Sequence, residues 1–321
     1  MKALVTGANG FTGSHLVKAL EAKGDDVVGL VRPTSDLSRL ANSQVSLVKG
    51  DICDRAILEK AMSGVDVVFH VAAYVELGLV NAQRMARVNI EGTQAVMETA
   101  AQGVSKIVYC STIGVFGDTQ GRVVDETFTR EQTGFSSAYD WTKYEAQQIV
   151  NQMAQGGLPV VSVLPSGIFG GDDPHFGQIV KLFRSGNLKF WPGRDRATGI
   201  VHVDDLVTAM IQAAATAPSG EHYIISAGEL TIGEMFDFLS EKTGIPTPKE
   251  APQWLIRTLG NSLTPIGHFL KWQPPLSRER VHYIYDRCVR VDASKARQEL
   301  NWQPRAVEVI LNELLNSNQK R

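Results

Sequence analysis

A glycine-rich turn, Thr6-Gly7-Ala8-Asn9-Gly10-Phe11-Thr12-Gly13, stands between a short apolar run, Ala3–Thr6, and a helix-period stretch, Gly13–Lys23. Three glycines at a strand-to-helix junction have distinct uses. One lets the chain turn tightly, another lets the backbone approach a pyrophosphate, and the third lets helix lie close on strand. The helix N-terminus then offers N–H groups and the positive end of its dipole to phosphate. The spacing Gly7-x-x-Gly10-x-x-Gly13 departs from G-x-G-x-x-G, so position carries the inference: the turn opens the first βα unit.

The unit repeats. Val27–Val31, Val45–Val48, Val67–His70, Ile107–Cys110 and Val160–Leu164 read as strands, with helical patterns at Ala56–Met62, Ala82–Ala101 and Tyr139–Ala154. Val- and Ile-rich strands with little alternation are buried on both faces, and the helices between them make right-handed crossovers. The expected fold is α/β, a doubly wound parallel sheet of Rossmann type with a smaller interleaved C-terminal substrate lobe. The expected division is a dinucleotide domain over 1–163 with 200–226 returning to it, and a substrate lobe of 164–199 and 227–321. Beyond Leu164, Ile200–Val203 and Tyr223–Ile225 read as strands and Thr231–Thr243 and Ser294–Leu300 as helices, with irregular Pro-rich stretches between. Asp204-Asp205 is expected to start a helix and satisfy its first N–H groups.

Lysine plus arginine number 32 and aspartate plus glutamate 34, a net charge of −2. That balance argues against nucleic acid or an anionic membrane as the dominant partner, although a local patch can hide inside it. Cys53, Cys110 and Cys288 have neither metal-ligand nor disulfide-scaffold spacing, so free thiols and no metal are expected. No apolar run approaches the ~20 residues of a membrane span, and nothing resembles a signal peptide. A soluble cytoplasmic protein with a small-molecule substrate is expected.

The second strand ends Val31-Arg32-Pro33, with no acid at its tip to accept a ribose 2′-OH. Arg32 suits a 2′-phosphate, which favours NADP(H) over NAD. Asp51 and Ile52 follow the third strand, where an adenine would lie, and Val71, Ala72 and Ala73 follow the fourth, where small residues admit a cofactor close to backbone. His70 reads as a packed strand-end histidine. Pro165 and Ile168, past the sixth strand, are expected at the cofactor with Gly7, Asn9, Gly10, Phe11, Thr12 and Gly13.

Tyr139 and Lys143 are four residues apart, on one face of a helix. A free phenol titrates near ~10, so service as a base at neutral pH needs a fall of about 3, or ~4 kcal/mol. An ammonium ~5 Å away supplies ~3 kcal/mol at an effective dielectric near 20. In the reductive direction the same phenol gives its proton to the developing alkoxide. A hydroxyl from another element must hold the substrate oxygen, and Ser111-Thr112 ends the fifth strand. Ser166 is expected at the substrate with Ser111, Thr112 and Tyr139. Phe116, Trp141, Phe169, Phe176, Phe190 and Trp191 are candidates for an apolar pocket, though each alone reads better as core. His175 reads as a surface loop residue.

With these residues in place, the chain resembles the extended short-chain dehydrogenase/reductase family, the NAD-dependent epimerase/dehydratase superfamily, over nearly its whole length. The resemblance rests on Thr6–Gly13, Gly50-Asp51, Val88-Asn89 with Gly92-Thr93, Ser111-Thr112 with Val115-Phe116-Gly117, Tyr139/Lys143 and His202-Val203-Asp204-Asp205. It implies Thr112 as the catalytic hydroxyl, Tyr139 as the proton carrier and Lys143 as the group that tunes Tyr139 and anchors the nicotinamide ribose. Asn89 would support Lys143 through a water relay. Phe69–Ala73, Val31–Asp36 and Val201–Asp205 look like dihydroflavonol-reductase-like and aldehyde-reductase-like members, and also like sugar epimerases. Nucleotide-sugar enzymes commonly carry Arg-Asp-aromatic before the His-Val-Asp-Asp element; here stand Ala197-Thr198-Gly199-Ile200, with Arg194 and Arg196 early. Ile113-Gly114 after Thr112 speaks against dehydration. The expected activity is NADP(H)-dependent carbonyl/alcohol oxidoreduction. The alternatives are an epimerase that recycles bound NAD(P) and a non-catalytic binding protein. A homodimer through the Ala82–Ala101 and Tyr139–Ala154 helices is a family-based expectation.

Overall fold

The computed structural model describes residues 1–173 and 176–317; His175 lies outside them. Strands β1 (Lys2–Thr6), β2 (Asp26–Val31), β3 (Ser46–Lys49), β4 (Val67–His70), β5 (Lys106–Cys110), β6 (Val160–Pro165) and β7 (His222–Ile225) form one sheet in the order β7-β6-β5-β4-β1-β2-β3. Every neighbouring pair is parallel. Winding reverses between β1 and β4, so ligand is expected outside the carboxyl ends of these two strands.

The non-alternating strand sequences are explained by two cores. Ala3 and Val5 of β1 join one apolar cluster and Leu4 the other, because successive side chains leave opposite faces. The first face is covered by α1 (Phe11–Ala22), through Leu16, Val17 and Leu20. The second is covered by α2 (Arg55–Met62), α3 (Gly92–Ala100) and α4 (Ala138–Gln155), through Leu58, Val96, Met97 and Val150. Helix α5 (Val203–Thr216) returns to the first face with Leu206, Val207 and Met210. A third core, with Phe169, Phe183, Ile200, Phe236 and Leu314, packs around a smaller sheet of Gly228–Thr231, Ala197–His202 and Gly167–Phe169.

Three local expectations are corrected. The strand expected at Ile200–Val203 runs Ala197–His202, and α5 begins at Val203 because His202 is its cap, accepting the Asp204 N–H at 3.1 Å. Asp204 and Asp205 instead occupy the first turn and pair with His15 and Arg305. Part of the stretch expected to be irregular holds α6 (Gln253–Leu270) and α7 (Arg278–Tyr285). Pro252 precedes α6 and Pro274-Pro275 follow it; only Pro265 lies inside. The helix between Ala82 and Ala100 contains a π-helical turn, Arg87–Glu91, of the kind that gathers at functional sites. No described helix is long and apolar enough to cross a membrane.

Candidate active site

The turn after β1 is built to admit backbone and nothing bulkier. Gly7 has φ +69, and a Cβ there would lie 2.9 Å from the Ala72 Cα; a Cβ on Gly13 would lie 2.1 Å from the Gly7 carbonyl oxygen. Gly10 caps α1 with no side-chain acceptor, so the first-turn N–H groups of Phe11 and Thr12 stay open to an anion. Asn9 donates to the Asp36 carbonyl at 3.1 Å, tying this turn to the loop beyond β2. Arg32, at the β2 tip, is exposed, and its guanidinium makes no ion pair or hydrogen bond among the described residues. Val71 and Ala72 lie against the Gly7 turn through Thr6, whose hydroxyl accepts both their N–H groups, and half-buried Ala73 follows. The cradle, the uncapped helix and the free guanidinium fit a dinucleotide.

Other expected contacts are placed differently. Asp51 already uses both oxygens, one accepting the Cys53 N–H at 2.9 Å and the other pairing with Arg87 at 2.9 Å. Ile52 is buried in the second core. Pro165 ends β6, Ile168 packs on the first core, and buried Ser166 turns its hydroxyl toward the Ile225 carbonyl at 3.4 Å. Phe116 is core, and Phe169, Phe176 and Trp191 belong to the third core rather than to a pocket; Phe190 is exposed.

His15, one turn into α1, bridges Asp204 at 2.6 Å and Asp172 at 3.1 Å. Burial disfavours its charge, but hydrogen bonds to the two carboxylates prevail and raise its pKa to about 9. The folded state therefore holds a proton that the unfolded chain releases near 6.5. This stabilisation is complete below 6.5 and is lost as pH climbs through 9. Urea unfolding should show a loss on the order of 2 kcal/mol over that window, absent in His15→Gln.

At the chemical end, Thr112 follows β5 and caps a 3-10 turn, Ile113–Phe116. Its Oγ1 accepts the Gly114 N–H at 3.1 Å, which leaves its own proton to donate. Ser111 is buried, with no hydrogen-bond partner for its hydroxyl among the described residues. Ser137 caps α4 through the Asp140 N–H at 3.0 Å and sets Tyr139 in the first turn. The Tyr139 hydroxyl makes no hydrogen bond among the described residues. Burial, followed by the neighbouring Cys110 and Asp140, holds this phenol well above its ordinary pKa.

The expected acidification of Tyr139 by Lys143 is corrected, because the ammonium is engaged elsewhere and is not among the charges acting on the phenol. The Lys143 ammonium donates to the Tyr109 hydroxyl at 2.8 Å and the Cys110 carbonyl at 2.9 Å, and sits 4.4 Å above the Tyr109 ring. Its own burial lowers its pKa to about 8. It is thus bound to β5, and Tyr139 stays protonated.

Asn89, in the π turn, accepts the Tyr74 N–H at 2.7 Å and donates to the Tyr74 carbonyl and the Thr142 hydroxyl, both at 3.0 Å. It clamps the loop after β4 onto α4, between Tyr139 and Lys143. His70 is the packed residue it was expected to be. Thr6 accepts two backbone N–H groups, so its proton must go to His70 Nδ1 at 2.8 Å. His70 Nε2–H then donates to Thr93 at 2.9 Å, and Thr93 to the Asn89 carbonyl at 2.6 Å. Burial, with the Lys143 charge behind it, lowers His70 to about 3.

Two site residues escaped the sequence. Tyr283, on α7, lies between the guanidinium groups of Arg196 and Arg287, at 4.8 and 4.7 Å from its ring centre, and is among the groups acting on Tyr139. Arg287 pairs with Asp140 at 3.2 Å, both side chains buried. No motif marks these positions, and more than 130 residues separate them from Tyr139. Arg196 and Arg287 open onto a cavity of about 1250 Å³ that also meets Arg194 and Arg290. Three of the four arginines are already paired: Arg194 with Asp237, Arg287 with Asp140 and Arg290 with Glu229.

Comparison with known proteins agrees with this geometry. Residues 3–226 match the model of the NAD dependent epimerase/dehydratase family. The chain is 31% identical to sterol demethylase protein B of Methylococcus capsulatus over 95% of this chain and 94% of that one. It is 29% identical to 4-hydroxy-2-methyl-3-oxo-4-farnesyl-3,4-dihydroquinoline-1-oxide ketoreductase of Stigmatella aurantiaca, over 95% and 92%. The solved structure of gox2253 superposes with a TM-score of 0.85 at 30% identity, covering 99% of this chain and 98% of that one. The chain is thus an NAD(P)-dependent enzyme and belongs to the NAD-dependent epimerase/dehydratase family, within the extended short-chain dehydrogenases/reductases.

Proposed function

We propose that the protein is an NADP(H)-dependent oxidoreductase that interconverts a carbonyl and an alcohol. The observation that carries this reading is the half-buried, protonated Tyr139 phenol with no hydrogen-bond partner among the described residues, on the helix that also holds Lys143. Gly7, Gly10, Gly13, the α1 N-terminus and Arg32 would hold the dinucleotide, and its nicotinamide supplies or takes the hydride. Thr112 donates a hydrogen bond to the substrate oxygen, and Tyr139 delivers its proton there as the carbonyl is reduced. In the oxidative direction Tyr139 must first ionise. A Lys143 ammonium turned toward it would lower that barrier, and Asn89 fixes the helix register of the two. Asp51, already paired, keeps only its remaining lone pairs for adenine. The substrate lobe would be drawn from 164–199 and 227–321, whose Phe169, Phe183, Phe236 and Leu314 belong to the third core.

The ketoreductase relative supports this direction of reaction. So do the paired cavity arginines, which have little charge left for a nucleotide diphosphate. The test is absorbance at the nicotinamide band: a reductase consumes NADPH in proportion to product across a carbonyl panel. An epimerase, the second reading, which only Arg196 favours as the one of the four cavity arginines without a carboxylate partner among the described residues, shows no net consumption with nucleotide sugars. For the cofactor, NADPH should bind roughly 10- to 100-fold more tightly than NADH, and Arg32→Ala should abolish the difference. Equal affinities in the unmodified protein, measured by fluorescence titration, would remove the NADP assignment.

A further inference from the structure

Helix α6 has two apolar stripes, where a helix packed on one side needs one. Ile256, Gly260 and Gly267 are buried, with Gly260 against Val281 of α7 and Gly267 against Leu79. A second row, Leu255, Leu259, Ile266, Phe269 and Leu270, recurs at i, i+4, i+11, i+14 and i+15 and so shares another face. That face meets solvent: Phe269 is 87%, Leu270 61% and Ile266 45% exposed. Trp254 in the first turn of α6 and Trp272, two residues past its end, are both exposed and bracket the row along the chain. An exposed row of this kind, interrupted only by Ser262 at i+7, marks an interaction surface, unlike single scattered side chains.

The surrounding charge indicates what it fits. Residues 251–278 contain no aspartate or glutamate, while Arg257, Lys271 and Arg278 lie among them. Arg257 pairs with Asp286 at 2.5 Å. Lys271 and Arg278 have no carboxylate partner among the described residues. A chain of net charge −2 thus gathers apolar side chains on α6 and unpaired cations just beyond its C-terminus, at Lys271 and at Arg278 of α7. An apolar face, terminal tryptophans and nearby cations are the composition of a helix lying in a bilayer interface, with indoles at headgroup depth and cations toward anionic lipid. A second copy fits less well, because two-fold pairing of this face would set cations against cations with no acid in the stretch to receive them.

We propose that α6 docks the protein on an anionic lipid bilayer, seated through Leu255, Leu259, Ile266, Phe269 and Leu270. The helix lies on the surface and does not span. Its inner side meets the loop after β4 where Gly267 faces Leu79, and just beyond the helix the Gln273 amide holds that loop, accepting the Leu79 N–H at 2.9 Å and donating to the Leu77 carbonyl at 3.1 Å. Docking would therefore bring lipid to the far side of the helix that steadies this loop. The proposal stands on exposure and charge and is independent of the redox reading.

The experiment sediments the full chain with sucrose-loaded phosphatidylcholine vesicles, with and without about 30% phosphatidylglycerol, while light scattering follows its mass. Pelleting on the anionic vesicles is expected, at least about tenfold weaker on neutral ones, with a blue shift of tryptophan emission. The double variant Phe269→Glu with Leu270→Glu, at two exposed positions, should keep the thermal unfolding midpoint and lower partitioning about tenfold or more. Lys271→Glu with Arg278→Glu should erase the preference for anionic vesicles. Absence of pelleting on anionic vesicles, equal pelleting on neutral ones, or unchanged pelleting of the Phe269/Leu270 variant would overturn the proposal. So would a solution dimer dissolved by that variant in a protein that ignores vesicles.

Discussion

Tyr139→Phe should lower turnover by roughly a thousandfold while leaving cofactor affinity and stability almost unchanged. The expected separation follows from the surroundings of the hydroxyl. It makes no hydrogen bond among the described residues, so its removal leaves no stranded partner, and unfolding should move by less than about 0.5 kcal/mol. The ring remains to fill its place on α4. Only the proton is lost, which in the proposed mechanism is the one delivered to the alkoxide. Single-turnover kinetics with NADPH, alongside a cofactor titration, checks this. Turnover within tenfold of the unmodified enzyme would remove Tyr139 from the reaction.

Arg287→Leu should cost about 3–5 kcal/mol of folding stability, the largest loss expected from any single exchange described above. Asp140 is 2% exposed, and Arg287 is its ion-pair partner at 3.2 Å. Burial pushes the Asp140 carboxyl up, and Arg287 is the first of the charges that oppose this. Without the guanidinium, Asp140 must either stay ionised in an apolar site or take up a proton. The double variant Asp140→Asn with Arg287→Leu should recover most of the loss, because no buried charge is then unpaired. Urea denaturation of the three variants measures both numbers. A single variant as stable as the parent would show that the pair is solvated.

The nucleotide half was legible because its determinants are local. Gly7 and Gly13 are demanded by contacts within one βα turn and with the neighbouring strand, and the strands of the sheet announce themselves by apolar runs buried on both faces. The other half was not, because its determinants are distant. Tyr283 and Arg287 meet Tyr139 and Asp140 only through the fold, and each looks like an ordinary surface residue in isolation. Helix α6 was missed for a different reason: prolines at 252, 265, 274 and 275 suggested irregular chain, and the doubled apolar pattern did not resemble a helix packed on one side. The expectation for Lys143 had the right spacing but treated the ammonium as free. The sequence could not show that the Tyr109 hydroxyl and Cys110 carbonyl would claim it.

The hydrogen-bonded string from Thr6 through His70 to Thr93 and Asn89 has a directional sense, since each hydroxyl and each ring nitrogen has one role left to play. An imidazole so committed is a spectator throughout the physiological range. Any ionisation seen in the rate profile near neutrality then belongs to other groups, and the kinetic signature of proton transfer can be read without this imidazole's titration superimposed on it.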